Sequence, residues 1–372
     1  MTSPLYMMAL TMVPRLNCVN QRLLLDSVES AEALFEHRND LKALLPDASP
    51  LLLENLSRME ELLPRARQEL EWAESKHIKC LCFDDAEYPA RLRNCPDAPL
   101  ILYYRGTVDL NCPHIISMVG TRRCSEYGKD LCREFMEELS RQLPDCLVVS
   151  GLAYGIDINA HRQSLQHGLS TVGVLAHGMN QIYPRMHQGT AQKMLSQGGL
   201  LTEYMSGTPM DRVNFLARNR IVAGMADATI VVESASKGGS LVTARIANDY
   251  GREVFAFPGR VHDETSEGCH KLIRQNQAHL ITSAQDVLEA LGWETEESRK
   301  TRRMQPIQRQ LFGELSAEEQ RVADRLQGTE GKAMNQLAAE TGIPVGRLSS
   351  LLMGLEMRGV VRLMNGGMYR LL

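Results

Sequence analysis

The chain has 372 residues, of which 44% are hydrophobic, and its formal net charge is -4 at pH 7. This length predicts two or three domains, and no apolar run is long enough to cross a membrane. The acidic balance excludes a basic nucleic-acid coat, so a polyanion would have to bind a local basic patch. The nine cysteines are scattered without an export signal or a zinc-ligand spacing. This predicts reduced thiols, a cytoplasmic location, and neither a metal nor a membrane span.

Residues 1–75 show the leucine pattern of short helices, with clusters such as Leu51-Leu52-Leu53. A helix-hairpin-helix that binds DNA needs a glycine in its turn, and this region has none. We therefore expect a packing or docking domain. Between Ile78 and Gly106, proline-bounded apolar runs predict two short strands that lead into the central sheet.

From Ile115 to Gly259, short apolar runs alternate with Gly-rich turns and helical patterns. The predicted strands include Ile115–Val119, Cys146–Val149, Ser170–Leu175 and Thr229–Val232. This alternation predicts an α/β fold with a doubly wound parallel sheet that helices cover on both faces. Ligands of such sheets bind beyond the carboxyl ends of the strands, where the Gly-rich turns are expected to meet.

Several of these turns combine glycine with basic or hydroxyl side chains, as phosphate-binding helix N-termini do. Arg218 and Arg220 fall on one predicted helix but on different faces. One is therefore expected to face a ligand and the other a carboxylate. Asp157 is a candidate N-cap for the helix that contains His161. The predicted phosphate contacts are Gly120, Thr121, Arg122, Arg123, Ser150, Gly151, Ala153, Gly155, Arg218, Asn219, Arg220, Lys237, Gly238, Gly239, Ser240, Thr243 and Lys271.

No base, nucleophile or metal-ligand set accompanies these turns, which favours binding over catalysis, with no catalytic residue and no cofactor. The phosphate loop of nucleotide hydrolases and the dinucleotide fingerprint are both absent. Glu203 and Glu233 follow predicted strands, and this position keeps an enzyme possible.

Residues 293–315 form a charged linker by composition, and residues 316–372 resume a hydrophobic core. Ser316 and Glu319 have capping-box spacing, and two further helices are expected at about Met334–Glu340 and Val345–Arg358. A hairpin turning at Asn365-Gly366 would complete a winged helix-turn-helix. The third helix carries only two arginines among leucines, so a sequence-reading transcription regulator is a disfavoured third possibility.

The ordered motifs of the central region resemble the DprA/Smf family of bacterial DNA-processing proteins. The motifs are Val119–Arg122, Ser150–Asp157, Tyr183-Pro184, Arg218–Ile221, Gly239–Ala244, Arg252–Gly259 and Gly268–Ile273. The resemblance implies an extended Rossmann-like domain at 76–292. A small helical (SAM-like) domain at 1–75 would precede it, and the linker 293–315 and a winged-helix domain at 316–372 would follow.

The same resemblance implies a cytoplasmic, non-enzymatic protein that binds single-stranded DNA. Such a protein protects incoming strands in natural transformation and homologous recombination and helps load the RecA recombinase onto them. The implied partners are single-stranded DNA, RecA and a second copy in a homodimer built through the Rossmann-like domain. By motif match Arg122, Ser150, Gly151 and Lys237 would lie at the DNA pocket. We expect Tyr154 or another exposed aromatic residue to stack on bases.

The alternative is a nucleotide-processing enzyme of the phosphoribohydrolase type, which has a related Rossmann-like fold. Those enzymes use a Pro-Gly-Gly-x-Gly-Thr loop and a glutamate. Here the corresponding stretch is Pro258-Gly259-Arg260-Val261-His262, which lacks the second glycine and the Gly-Thr pair.

Overall fold

The computed structural model describes residues 3–28, 30–293, 315–327, 329, 331–358, 360–364 and 367–371. The chain divides into two compact units, Met1–Thr295 and Glu296–Leu372. Nearly all of the predicted linker at 293–315 lies outside the described residues. The predicted boundaries within the first unit, at 75/76 and 292/293, stay predictions. Across the described ranges, no helix has both the length and the apolar character needed to span a membrane.

Short helices form the beginning of the first unit, as the leucine pattern indicates. They are α1 (Pro4–Thr11), α2 (Cys18–Asp26), α3 (Ala31–Glu36), α4 (Leu41–Leu44), α5 (Pro50–Ser57) and α6 (Leu63–Ser75), with a 3-10 turn at Met59–Leu62. Asn17, Ser30 and Ser49 each accept a hydrogen bond from a backbone N–H in the first turn of the helix they cap. The core of these helices is continuous with Ile101 and Tyr103. The helices therefore pack on the central sheet.

The central sheet has nine strands in the described part of the chain. They are β1 (Lys79–Cys82), β2 (Ile101–Gly106), β3 (Ile115–Val119), β4 (Leu147–Ser150), β5 (Ser170–Val174), β6 (Gly198–Thr202), β7 (Ala228–Val231), β8 (Glu253–Ala256) and β9 (His279–Leu280). Their spatial order is β1-β2-β6-β5-β4-β3-β7-β8-β9. In this spatial order, every neighbouring pair from β6 through to β9 is parallel. Strands β1 and β2 pair antiparallel with each other, and β2 pairs antiparallel with β6. The two short strands expected before residue 106 are therefore confirmed.

Helices cover both faces of this sheet. They are α7 (Ala90–Arg93), α8 (Glu126–Gln142), α9 (Ile156–Gln166), α10 (Gln188–Met194), α11 (Arg212–Gly224), α12 (Gly239–Asp249), α13 (Glu267–Arg274) and α14 (Ala284–Leu291), with a 3-10 turn at Arg185–His187. Successive residues of β4 alternate between two cores, because Leu147 and Val149 join one and Val148 joins the other. The prediction of a doubly wound α/β fold is confirmed.

The second unit is a winged helix. Its elements are α15 (Ala317–Leu326), β10 (Lys332–Ala333), α16 (Met334–Thr341), α17 (Val345–Met357), β11 (Val361–Met364) and β12 (Met368–Leu371). The capping box between Ser316 and Glu319 is present. Strands β11 and β12 pair antiparallel as the predicted hairpin, whose turn residues Asn365 and Gly366 lie outside the described residues.

Candidate nucleic-acid interface

A cleft of about 770 Å³ opens at the carboxyl ends of the central strands. Its floor and rim come from the turns that follow β3, β4 and β7, and α11 forms one wall. Strand β3 lies between β4 and β7, so successive crossovers leave this strand in opposite directions. Ligands of doubly wound sheets bind in the crevice at such a switch point.

Three predicted anion-binding turns meet in this cleft. The predicted residues that line it are Gly120, Thr121, Arg122, Gly151, Ala153, Arg218, Asn219, Lys237, Gly238, Gly239, Ser240 and Thr243. Arg212, which was not predicted, also lines it, so the cleft combines four basic side chains with backbone that glycine leaves accessible. This combination suits the oxygens of a phosphate backbone.

Glycine is required where the first two turns interlock. Thr121 accepts a backbone hydrogen bond of 3.2 Å from Ile156 N. Gly155 has a φ of 76°, and a Cβ there would lie 2.0 Å from the Thr121 carbonyl oxygen. Gly155 therefore holds the turns together from behind and does not line the cleft.

Arg218 forms part of the cleft floor although it is only 4% exposed. Its Nη1 donates a 2.7 Å hydrogen bond to the Val174 carbonyl, and its guanidinium covers Gly151, where a Cβ would lie 1.9 Å from Nη1. Burial lowers the pKa of Arg218, and the charge of Asp157 opposes that shift. Burial likewise raises the pKa of Asp157, against the attraction of Arg218 and hydrogen bonds from the Ala153 and Gly151 backbone. The two side chains hold the second turn in place.

Asp157 does not cap its helix, so that prediction is wrong. The N-cap of α9 is Gly155, which has no side-chain cap, and Asp157 lies within the first turn. Its carboxylate instead accepts hydrogen bonds from the loop before the helix.

The two arginines of α11 point to different partners, as their spacing predicts. Arg220 donates one hydrogen bond to the Asp97 carbonyl at 2.7 Å and another to the Glu203 carboxylate. It is outside the cleft that Arg218 lines.

Three further predicted contacts also lie outside the cleft. Ser150 is fully buried because it ends a central strand, and its hydroxyl donates to the Met118 carbonyl at 2.6 Å. Arg123 is exposed beside the first turn, and Lys271 is exposed on α13, but neither lines the cleft. A direct phosphate contact through the buried Ser150 hydroxyl would break its internal bond.

Two aromatic rings at the cleft were not among the predicted site residues. Tyr183 and Phe215 both line it, with ring centroids 5.6 Å apart in an edge-to-face arrangement. The Arg122 guanidinium carbon lies 5.8 Å from the centre of the Phe215 ring. The expected stacking residue was Tyr154 or another exposed aromatic residue. Tyr154 is exposed but packs against His187 outside the cleft, whereas Tyr183 is exposed within it.

Comparison with known proteins decides the family. Residues 79–292 match the family model of DNA recombination-mediator protein A, and residues 310–367 match that of the DprA winged helix domain. The chain belongs to the DprA/Smf family.

Relatives in this family align over much of the chain. Protein Smf of Escherichia coli is 35% identical over 81% of this chain and 79% of its own length. DNA processing protein DprA of Streptococcus pneumoniae is 39% identical over 54% of this chain and 70% of its own length.

Two solved DprA structures share the fold. The S. pneumoniae structure aligns with a TM-score of 0.67 at 30% identity and covers 78% of this chain and 98% of its own. The Helicobacter pylori structure aligns with a TM-score of 0.52 at 28% identity and covers 58% of this chain and 97% of its own. The latter was solved to explain a single-stranded DNA binding mode of that protein.

In this DprA/Smf chain, the two acids that kept an enzyme possible are engaged elsewhere. Glu233 accepts hydrogen bonds from the Ser125 N–H at 2.9 Å and from the Ser125 hydroxyl at 2.5 Å. Glu203 pairs with Arg220. Neither lines the cleft, and the described residues hold no cluster of His, Cys, Asp or Glu suited to a metal.

The winged helix of this family member also lacks the features of a base reader. Arg347 of α17 pairs with Glu318 at 2.7 Å, and Arg358, which follows the helix, pairs with Glu319. Both partners lie on α15, so these arginines are compensated within the unit. This agrees with the expectation that α17 is poorly suited to reading sequence.

Proposed function

We propose that this DprA/Smf chain binds single-stranded DNA in the cleft and presents the strand for recombination. The observation that carries the proposal is the convergence of three Gly-rich turns, four basic side chains and two aromatic rings in one cleft. Phosphates would contact Arg122, Lys237 and the turn N–H groups, while Arg218 supplies positive charge from the floor.

The aromatic rings favour a single strand over a duplex. Bases of a single strand can leave the stack and lie against a protein ring, which contributes about 1–3 kcal/mol per base. Tyr183 and Phe215 stand at the wall of the cleft beside Arg122. In a duplex, the bases are stacked and paired inside and cannot reach such rings without being unpaired.

We further propose that the bound strand is protected and passed to RecA during transformation and recombination, and that the chain acts as a homodimer. Family membership supports the role with RecA. For the dimer, the edge strand β9 provides a structural argument. It pairs only with β8 among the described residues, and its Leu280 is 52% exposed. An unpaired strand edge with an apolar side chain is suited to association with another chain.

We propose binding without catalysis, and the alternative of a phosphoribohydrolase is less well supported. Such an enzyme needs a free acid beside the bound nucleotide. Glu203 and Glu233 are both committed to internal partners, and Asp157 holds the second turn. Asp211 lines the cleft, but its carboxylate caps α11 by accepting a hydrogen bond from the Val213 N–H. The phosphoribohydrolase alternative would be supported if the wild type released free base from AMP and Glu233→Gln abolished that release.

Fluorescence anisotropy with a short oligo-dT and a matched duplex, over a salt series, tests the proposal. We expect the wild type to prefer the single strand, with a log–log salt slope of about -0.7 for each phosphate contacted. Arg122→Ala should weaken binding and make the slope shallower by about 0.7, the contribution of one phosphate contact. Arg123→Ala is the matched control, because it removes the same charge from an adjacent exposed position outside the cleft. Equal effects of the two substitutions, or a salt-independent affinity, would contradict the proposal.

A further inference from the structure

Two arginines face each other across the wing of the winged helix. Arg362 of β11 and Arg370 of β12 are direct partners in the antiparallel register, and both are exposed. Directly opposed residues in an antiparallel pair project from the same face, with Cβ atoms about 5 Å apart. The wing therefore presents two guanidinium groups side by side.

The register shows that this face points away from the core. The preceding pair, Val361 with Leu371, packs into the core of the unit. Because side chains alternate along a strand, Arg362 and Arg370 lie on the opposite face. The next pair on the same face as the arginines is Met364 with Met368, which are 37% and 40% exposed.

Among the residues that the structure describes, no acidic side chain pairs with either of these arginines. Like charges directly opposed in a sheet are destabilising by a few tenths of a kcal/mol to about 1 kcal/mol. Most other basic side chains in the described part of this unit have acidic partners: Lys332 pairs with Glu340, Arg347 with Glu318 and Arg358 with Glu319, whereas Arg325 has no ion pair among these residues. Neither wing arginine forms an ion pair with any described residue.

We propose that the Arg362–Arg370 pair binds the phosphate backbone of a nucleic acid and is a second contact site, separate from the cleft. Two planar guanidinium groups can hold phosphate oxygens in bidentate geometry, and a bound phosphate relieves the repulsion between them. The flanking methionines add adaptable apolar contact. Because the arginines at α17 are neutralised by α15, the contact falls on the wing and is independent of base sequence.

An acidic protein segment is the competing occupant for such a surface. The nucleic acid is favoured because the same chain carries a DNA recombination-mediator domain before this winged helix. The arginine pair is also flanked by methionines, whereas lysines would be expected beside a surface that binds an acidic protein through diffuse charge.

The test uses the full chain and the double variant Arg362→Thr/Arg370→Thr, with threonine chosen to preserve strand preference. Binding to a long duplex and a long oligo-dT is measured over a salt series. We expect the log–log salt slope to become shallower by the contribution of one to two phosphate contacts. Each contact contributes about 0.9 to the slope on a duplex and about 0.7 on a single strand. Binding of a short oligo-dT that fills only the cleft should be unchanged.

Two matched variants separate a local contact from net charge and from misfolding. Arg347→Gln/Arg358→Gln removes the same two charges but from compensated positions, and should leave the slope unchanged. Arg362→Lys/Arg370→Lys keeps the charge and should retain the slope.

Equal slopes in the threonine and glutamine variants would overturn the proposal. So would unchanged nucleic-acid binding together with loss of binding to a poly-glutamate probe, which would identify an acidic protein partner. If the wild type fails to bind short oligo-dT, the cleft proposal fails, while the duplex measurement still decides the role of the wing.

Discussion

Gly151 is the position where one methyl group should disturb the cleft most directly. An ideal Cβ there would lie 1.9 Å from Nη1, 2.4 Å from Cζ and 2.6 Å from Nη2 of Arg218. The backbone of Gly151 does not have a positive φ, so the alanine itself is not strained. The cost of Gly151→Ala should therefore come from displacing the Arg218 guanidinium.

The magnitude follows from what Arg218 would lose. Its guanidinium is buried and donates to the Val174 carbonyl at 2.7 Å, and a hydrogen bond from a charged group contributes about 1.5–3 kcal/mol. We expect Gly151→Ala to lower the free energy of unfolding by about 2–3 kcal/mol and to weaken binding of oligo-dT. Urea unfolding followed by tryptophan fluorescence measures this change, because both tryptophans, Trp72 and Trp293, lie in the first unit.

A double-mutant cycle tests the reasoning behind that number. In an Arg218→Met background the guanidinium is absent, so adding Gly151→Ala should cost about 1 kcal/mol or less. Gly189→Ala is the control, because a Cβ at Gly189 meets nothing within 4 Å. It should be neutral or stabilise α10 by up to about 1 kcal/mol. The reasoning is refuted if Gly151→Ala costs the same in both backgrounds.

Two further predictions concern buried polar groups away from the cleft. Burial lowers the pKa of His161 to about 3, and its Nδ1 is 2.7 Å from the Thr171 hydroxyl. Acidification from about pH 6.5 towards 3 therefore protonates the unfolded state first. It should lower the free energy of unfolding by up to about 1.4 kcal/mol per pH unit. Urea titrations should show a smaller pH dependence of the free energy of unfolding in His161→Gln than in the wild type. Equal pH dependence in the two proteins would contradict its assignment to His161. Glu69 is 1% exposed and accepts hydrogen bonds from the N–H of Ser206 at 2.7 Å and from its hydroxyl, so Glu69→Ala should cost about 2–3 kcal/mol in the same assay. The control Glu60→Ala removes an exposed ion pair and should cost at most about 1 kcal/mol; equal losses would contradict the prediction.

The strands and turns of the central sheet were predictable because their signals are local. Each buried β-branched run is followed at once by a Gly-rich turn and a helical pattern. The shared edge of a parallel sheet then brings Gly120, Gly151 and Gly239 together without knowledge of any specific contact. The capping box at Ser316 is also encoded within one turn of helix, and it was predicted for the same reason.

Side-chain direction was harder to predict because distant partners decide it. The spacing of Arg218 and Arg220 shows that they diverge, but only the fold brings Glu203 to one and Val174 to the other. Ser150 turns inward because it ends a buried strand, although serine beside glycine also suits a phosphate turn. The pairing of Tyr183 with Phe215 joins segments far apart in sequence, so their shared wall was not evident from either motif.

Photo-crosslinking tests the central claim, that the cleft holds the single strand, most directly. A short oligo-dT containing 5-iododeoxyuridine would be bound to the full chain and irradiated, and the attached peptides identified by mass spectrometry. We expect crosslinks at Tyr183 or Phe215 whose yield falls in Arg122→Ala and persists in Arg123→Ala. Crosslinks that avoid both rings and fall only within residues 315–371 would contradict it.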